Sequence, residues 1–170
     1  DYSDPIEVGY AEVDGGCVAV ANTHVIYSPK SMGAPNRVNI MNVDDPTNPY
    51  REGFYTSPAM TYDLAAKNDL AFVACWWDGM RIIDFSNPSS PYLSAHVLGW
   101  TNGAIPGVDY CYVQALDVQG DYAYVIDYGP FQDDDTFGLY IINISDPSNS
   151  HVVTRYTNFV SRGWDIDVEG

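Results

Sequence analysis

Positive charge is what this chain has least of. Seven Lys and Arg stand against 23 Asp and Glu in 170 residues, a formal net charge of −16 at pH 7. A nucleic-acid partner calls for clustered Lys and Arg that displace counterions from phosphates, so that class is excluded. An anionic membrane surface is disfavoured for the same reason. The acidic surplus suits solubility in a crowded or salty exterior, or a cationic partner. No apolar run approaches the ~18 residues that span a bilayer. The three histidines, His24, His96 and His151, are too dispersed for a triad or a metal site. Cys17, Cys75 and Cys111 are odd in number and lack zinc-type spacing. No Ser/His/Asp or paired-carboxylate signature appears, so no motif calls for an enzyme or for a cofactor.

What the chain does have is repetition. RIIDFSNPSSP, from Arg81 to Pro91, is an apolar strand running into an Asn-Pro turn. It returns as VNIMNVDDPTNP from Val38 and as YIINISDPSNS from Tyr140. The β-formers predict a strand, and proline, which has no N–H for a sheet ladder, stops it. A second pattern lies upstream: EVDGGCVAVAN from Glu12, AAKNDLAFVAC from Ala65 and DVQGDYAYVID from Asp117, with DVEG at Asp167. Its copies recur at about 50 residues, a period of stacked supersecondary units.

The units predict an all-β chain of four-stranded antiparallel blades, about three blades plus the first strand of a fourth: a partial β-propeller. A polar N-terminal surface segment, 1–9, precedes units at about 10–57, 61–99 and 113–158, with an incomplete one at 163–170. In unit one the expected strands are Tyr10–Val13, Cys17–Ala21, Val38–Val43 and Arg51–Tyr55, with Asn22–Asn36 as a long connection. The strands are apolar at nearly every position, as in AYVI and YIINI. That fits sheets covered on both faces and argues against a sandwich, whose strands alternate. Asp1 is no initiator Met and the repeat is cut at Gly170, so the chain reads as a piece of something longer. The remaining propeller blades are then expected from the same polypeptide or from other chains.

GDYAYVID followed by GLYIINISDPSN resembles the LVIVD-repeat family, whose units run roughly GNYAYVADGxxGLxIIDVSNPxxP. Unit two, NDLAFVACWWDGMRIIDFSNPSSP, fits nearly throughout, and the likeness extends from about Tyr10 to the C-terminus. The resemblance implies a β-propeller of a secreted or cell-surface protein and implies no activity. The WD dipeptides Trp77-Asp78 and Trp164-Asp165 do not close third strands, and units two and three lack the Gly-Gly pair of kelch repeats.

In such a meander the long connections gather at one edge, and long loops on a rigid scaffold are the usual place for binding. The candidates on that face are His24, Tyr27, Trp76, Trp77, Asp78, Trp100, Tyr110, Tyr128, Phe131 and Trp164, presented to a protein or a glycan. Asp127, Asp133, Asp134 and Asp135 are oxygen donors of the kind Ca²⁺ takes, without EF-hand spacing; a solvated acidic loop is the plainer reading. Cys75 and Cys111 fall at one edge of adjacent units, where a disulfide or two buried thiols would both fit. The leading functional expectation is an extracellular or cell-surface binding or scaffold propeller. Two alternatives stand beside it. One is a propeller hydrolase or lyase using Asp63, Asp165 and Trp164 in a central channel, and the other a structural subunit of a larger extracellular assembly.

Overall fold

A computed structural model of the chain describes residues 6–13, 15–29, 36–98, 111–128, 137–157 and 163–169. Within them lie three four-stranded sheets, each a simple antiparallel meander. The first holds β1 (Gly16–Ala21), β2 (His24–Pro29), β3 (Arg37–Asn42) and β4 (Tyr50–Thr56). The second holds β5 (Asp63–Lys67), β6 (Leu70–Ala74), β7 (Met80–Asp84) and β8 (Tyr92–Val97). The third holds β9 (Val113–Gln119), β10 (Tyr122–Asp127), β11 (Gly138–Asn143) and β12 (His151–Tyr156). The innermost strands β1, β5 and β9 lie side by side, so the sheets follow one another as blades of a propeller. Among the described residues, no helix is long and apolar enough to cross a membrane.

The middle blade shows why its strands are apolar throughout. Successive side chains of a strand point to opposite faces. Ala71, Val73 and Cys75 enter the core shared with the first blade. Phe72 and Ala74 enter the core shared with the third. On β7 the same division sends Ile83 and Phe85 one way, Met80 and Ile82 the other. The outer strand β12 has a mostly exposed pattern because only one neighbour covers it.

Turn chemistry repeats with the blades. The two-residue hairpin turns begin at Asn22, Asn68 and Gly120, with φ of 54°, 52° and 55°. Glycine and asparagine tolerate this left-handed backbone best. After each third strand a short polar side chain closes the turn. Asn42 accepts the Asp44 N–H at 3.0 Å, Asp84 the Ser86 N–H at 2.9 Å, and Asn143 the Ser145 N–H at 2.9 Å. These are Asx turns, which explains the Asn and Asp ending the apolar runs.

The structure corrects the reading of unit one. Tyr10–Val13 forms no strand, and Gly16–Ala21, expected second, is the first. The supposed long connection contains β2, paired in register with β1 from Ala21↔His24 to Gly16↔Pro29. The expectation aligned Gly15-Gly16 with the hairpin turns, whereas Asn22-Thr23 is the true equivalent. At the other end, 163–169 has no sheet ladder; Val168 N–H donates to the Asp117 carboxylate at 2.8 Å.

Phe72→Ala, at a fully buried site between blades, is expected to cost about 3–5 kcal/mol. Ile83→Asp places an unpaired charge in the other core and should abolish cooperative unfolding. Val153→Ala on the exposed outer strand is expected to stay within about 0.5 kcal/mol. Urea denaturation followed by circular dichroism reads all three, and equal effects at the three sites would refute the assignment of faces.

Candidate functional site

Where the inner strands begin, five aromatic rings form a row. Tyr62 precedes β5, Tyr112 precedes β9, and Trp164 stands at the corresponding place in the C-terminal segment. Trp76 and Tyr128 follow the second strands β6 and β10. Tyr62 and Trp76 stack at 4.4 Å between centroids with 17° between planes. Trp76 meets Tyr112 edge-on at 4.8 Å and Tyr128 at 6.1 Å, and Tyr128 meets Trp164 edge-on at 5.3 Å. Trp76 is held in place by its backbone: its carbonyl accepts the Val113 N–H at 3.0 Å across the blade boundary, and its φ is 47°. Four of the rings are half-buried, while Trp164 is 69% exposed. Neighbouring Trp77 is 45% exposed.

Carboxylates stitch the inner strands together beside this row. Asp63 accepts its neighbour's N–H from Leu64 and, across the boundary, the Leu116 N–H, both at 2.9 Å. Asp117 repeats the device with Val118 at 2.7 Å and Val168 at 2.8 Å. Asp165 accepts the Ile166 N–H at 2.9 Å. Burial pushes the Asp63 carboxyl above the usual range; the two N–H donors pull it back, and the charges of Asp165 and Asp117 push it up again.

At the outer part of the same edge Asp78 organises a polar group. Arg81 Nε donates to its carboxylate at 2.5 Å, and Arg81 Nη1 donates to the Tyr55 hydroxyl of the first blade at 3.1 Å. His96 Nε2 lies 2.5 Å from the Asp78 carbonyl oxygen. For Arg81, burial works against the charge, but the Asp78 carboxylate outweighs it and raises the pKa.

The other expected residues fall as follows. His24 and Tyr27 are not loop residues: both belong to β2. His24 sits at the opposite, short-turn edge, 3.2 Å from Glu52 and 5.9 Å from the Phe85 ring. Trp100, Tyr110 and Phe131, and Asp133, Asp134 and Asp135 of the Ca²⁺ expectation, lie outside the described residues. Asp127 is buried, with one carboxylate oxygen accepting the Tyr112 N–H at 2.8 Å. Among the described residues no cluster of His, Cys, Asp and Glu has the geometry to hold a metal ion. Tyr62, Tyr112 and Asp117 were missed, although the aromatic-Asp pairs Tyr62-Asp63 and Trp164-Asp165 were a usable signal.

Cys75 and Cys111 are free thiols, so the disulfide between them is not formed. The reason is facial. Cys75 is buried in the core on one side of the middle blade and Cys111 in the core on the other. Burial pushes the Cys75 thiol up to about 12, although Ser57 at 3.4 Å opposes it. Burial, together with the Asp127 charge, also holds Cys111 far from ionisation.

Because the thiolate is the reactive form, iodoacetamide at neutral pH should leave Cys75 and Cys111 of the native protein unmodified. Mass spectrometry of non-reduced protein should find Cys75 and Cys111 as thiols, and a reductant should leave the melting temperature unchanged. A second expectation concerns acid. The folded-state pKa of Asp63 lies above its unfolded value, so its favourable contribution is complete below the unfolded pKa. That contribution is lost as pH rises through the folded one. Asp63→Asn does not titrate, so the variant's stability relative to wild type should climb between pH ~3 and ~7. Urea midpoints across that range test it, and a flat or falling difference contradicts the raised pKa.

Comparison with known proteins comes down to a family and a fold. A comparison with curated protein sequences finds no match. Among solved structures, the crystal structure of the computationally designed Ika4 protein resembles the chain with a TM-score of 0.68 at 8% identity. The likeness covers 98% of this chain and 89% of that one. At that identity it speaks for the fold alone. The LVIVD repeat profile matches residues 58–98 and 111–158, which are the second and third blades and together just over half of the chain. With the blade architecture and the turn-closing Asn and Asp residues in place, the chain belongs to the LVIVD-repeat family.

Proposed function

We propose that this chain is a non-enzymatic binding module, extracellular or at the cell surface, that holds a glycan against its aromatic row. The observation that carries this reading is the continuous run of rings from Tyr62 to Trp164, ending in a tryptophan that is 69% exposed. A tryptophan ring offers an apolar face to the C–H side of a sugar, and a rigid aromatic is ordered at small entropic cost. The nearby carboxylates of Asp117 and Asp165 supply acceptors for hydroxyl groups. The surplus of acidic over basic residues fits neutral or cationic ligands better than anionic ones. A protein segment is the other class of partner that an aromatic surface of this kind receives.

The raised pKa of Asp63 beside Asp165 supports a second reading, a hydrolase or lyase in which a protonated carboxyl acts as acid. Both readings meet the same experiment. Polysaccharides and oligosaccharides are screened on an array with wild type, Trp164→Ala and, as a control on the outer strand, Tyr156→Ala. Binding is expected to weaken about tenfold or more in Trp164→Ala, ~1.4 kcal/mol, with the control unchanged. A glycan bound equally well by all three proteins would overturn the assignment of the site. Cleavage of a bound glycan, detected by mass spectrometry and lost in Asp63→Asn, would replace binding by catalysis.

A further inference from the structure

Among the described residues, the first blade has a face that no sheet covers. In the third blade, Leu116, Ala123, Val125, Ile142 and Ile144 pack toward the second blade. In the second, the equivalent Leu64, Ala71, Val73, Ile83 and Phe85 pack toward the first. Equivalence follows from the hairpin turns at Asn22, Asn68 and Gly120 and from the β2–β3, β6–β7 and β10–β11 registers. Carried to the first blade, the set is Val18, Val25, Tyr27, Met41 and Val43. All five line one apolar groove of about 560 Å³. Val18 is 63% exposed there, whereas its counterparts Leu64 and Leu116 are 5% and 3% exposed.

The opposite wall of the groove is the segment Val8–Val13, and a glycine shows what this segment imitates. Gly53, in the outer strand β4, packs on the turn of the next blade. A Cβ there would overlap the Pro88 carbonyl oxygen and lie 3.2 Å from Ser89 Cα. Gly9 packs on the turn of the first blade in the same way. A Cβ there would overlap the Pro46 carbonyl oxygen and lie 3.1 Å from Thr47 Cα. Pro46 and Pro88 are the same position of the repeat. The segment therefore stands against the first blade as a fourth strand stands against the blade that follows it, with no described strand between it and the groove.

We infer that the groove is a docking site for the three inner strands of another LVIVD-type blade, to which residues 6–13 supply the outer strand. The occupant must present apolar side chains as the second blade presents Phe72, Ala74, Met80 and Ile82 to the third. A second copy of this chain fits poorly. Its free end would bring the outer strand β12 to the turn at Pro46, where Gly9 already lies. This inference is independent of any ligand on the aromatic row.

The test extends the chain rather than dissecting it. Residues 61–91 are copied directly ahead of Ile6, so that Ile6 takes the place of Tyr92 and Gly9 that of Ala95, in the register Ile82↔Ala95. The extended chain is expected to bind hydrophobic dye several-fold less than the 170-residue chain, to melt higher, and to protect the amides of residues 8–13 from exchange. Val18→Asp is the discriminating variant. It should be nearly neutral in the 170-residue chain, where Val18 is exposed, and should remove the whole gain from the extended chain. Unchanged dye binding and exchange on extension would overturn the inference. So would a concentration-dependent dimer of the 170-residue chain that hides the dye site and is broken by Val18→Asp, since a second copy would then be the occupant.

Discussion

A β-sheet that is apolar on both faces needs a sheet on either side of it, and that requirement organises this molecule. The middle blade meets it fully: its second strand is divided side chain by side chain between two cores. At about 25 cal/mol per Å² of apolar surface removed from water, no turn or ion pair here competes with this term. It also explains why the blades stack in chain order, since each blade can cover the one before it.

Polar chemistry is then placed where it does not disturb the stacking. Asn42, Asp84 and Asn143 end their strands and close the turns that follow. The inner edges are joined by side-chain hydrogen bonds, most of them to backbone. Asn22 reaches Asp69, and Lys67 reaches the Gly120 carbonyl at the corresponding turns. Asp63 and Asp117 each hold one N–H of their own strand and one beyond it, in β9 and in the C-terminal segment. Such bonds fix the offset of one blade against another, which apolar contact alone leaves loose, because dispersion and hydrophobic burial have little directional preference.

The aromatic row is a product of the same geometry. Rings that precede inner strands and rings that follow second strands converge because those chain ends share one edge. Residues far apart in sequence, such as Tyr62 and Tyr128, come to lie on a common line through Trp76. The rings are half-buried where blades meet and exposed at Trp164.

By itself the sequence determined the class of the fold. The repeated apolar runs, their Asn-Pro and Asp-Pro stops and the strands without alternation are local consequences of backbone chemistry and two-sided burial, and local patterns can be read from the chain. The match of NDLAFVACWWDGMRIIDFSNPSSP to a repeat family was likewise legible. Unit one was misread because Gly15-Gly16 offered a stronger turn signal than Asn22-Thr23. Only the pairing of β2 with β1 distinguishes them. The face of each strand, and so the fate of Cys75 and Cys111, was decided by tertiary structure. Which of two apolar sides meets which neighbour depends on where a turn begins, and a shift of one residue exchanges the sides. The aromatic row and the fourth-strand role of the segment around Gly9 lay beyond the sequence for the same reason. Both are relations between elements, and come into being only when one blade packs against the next.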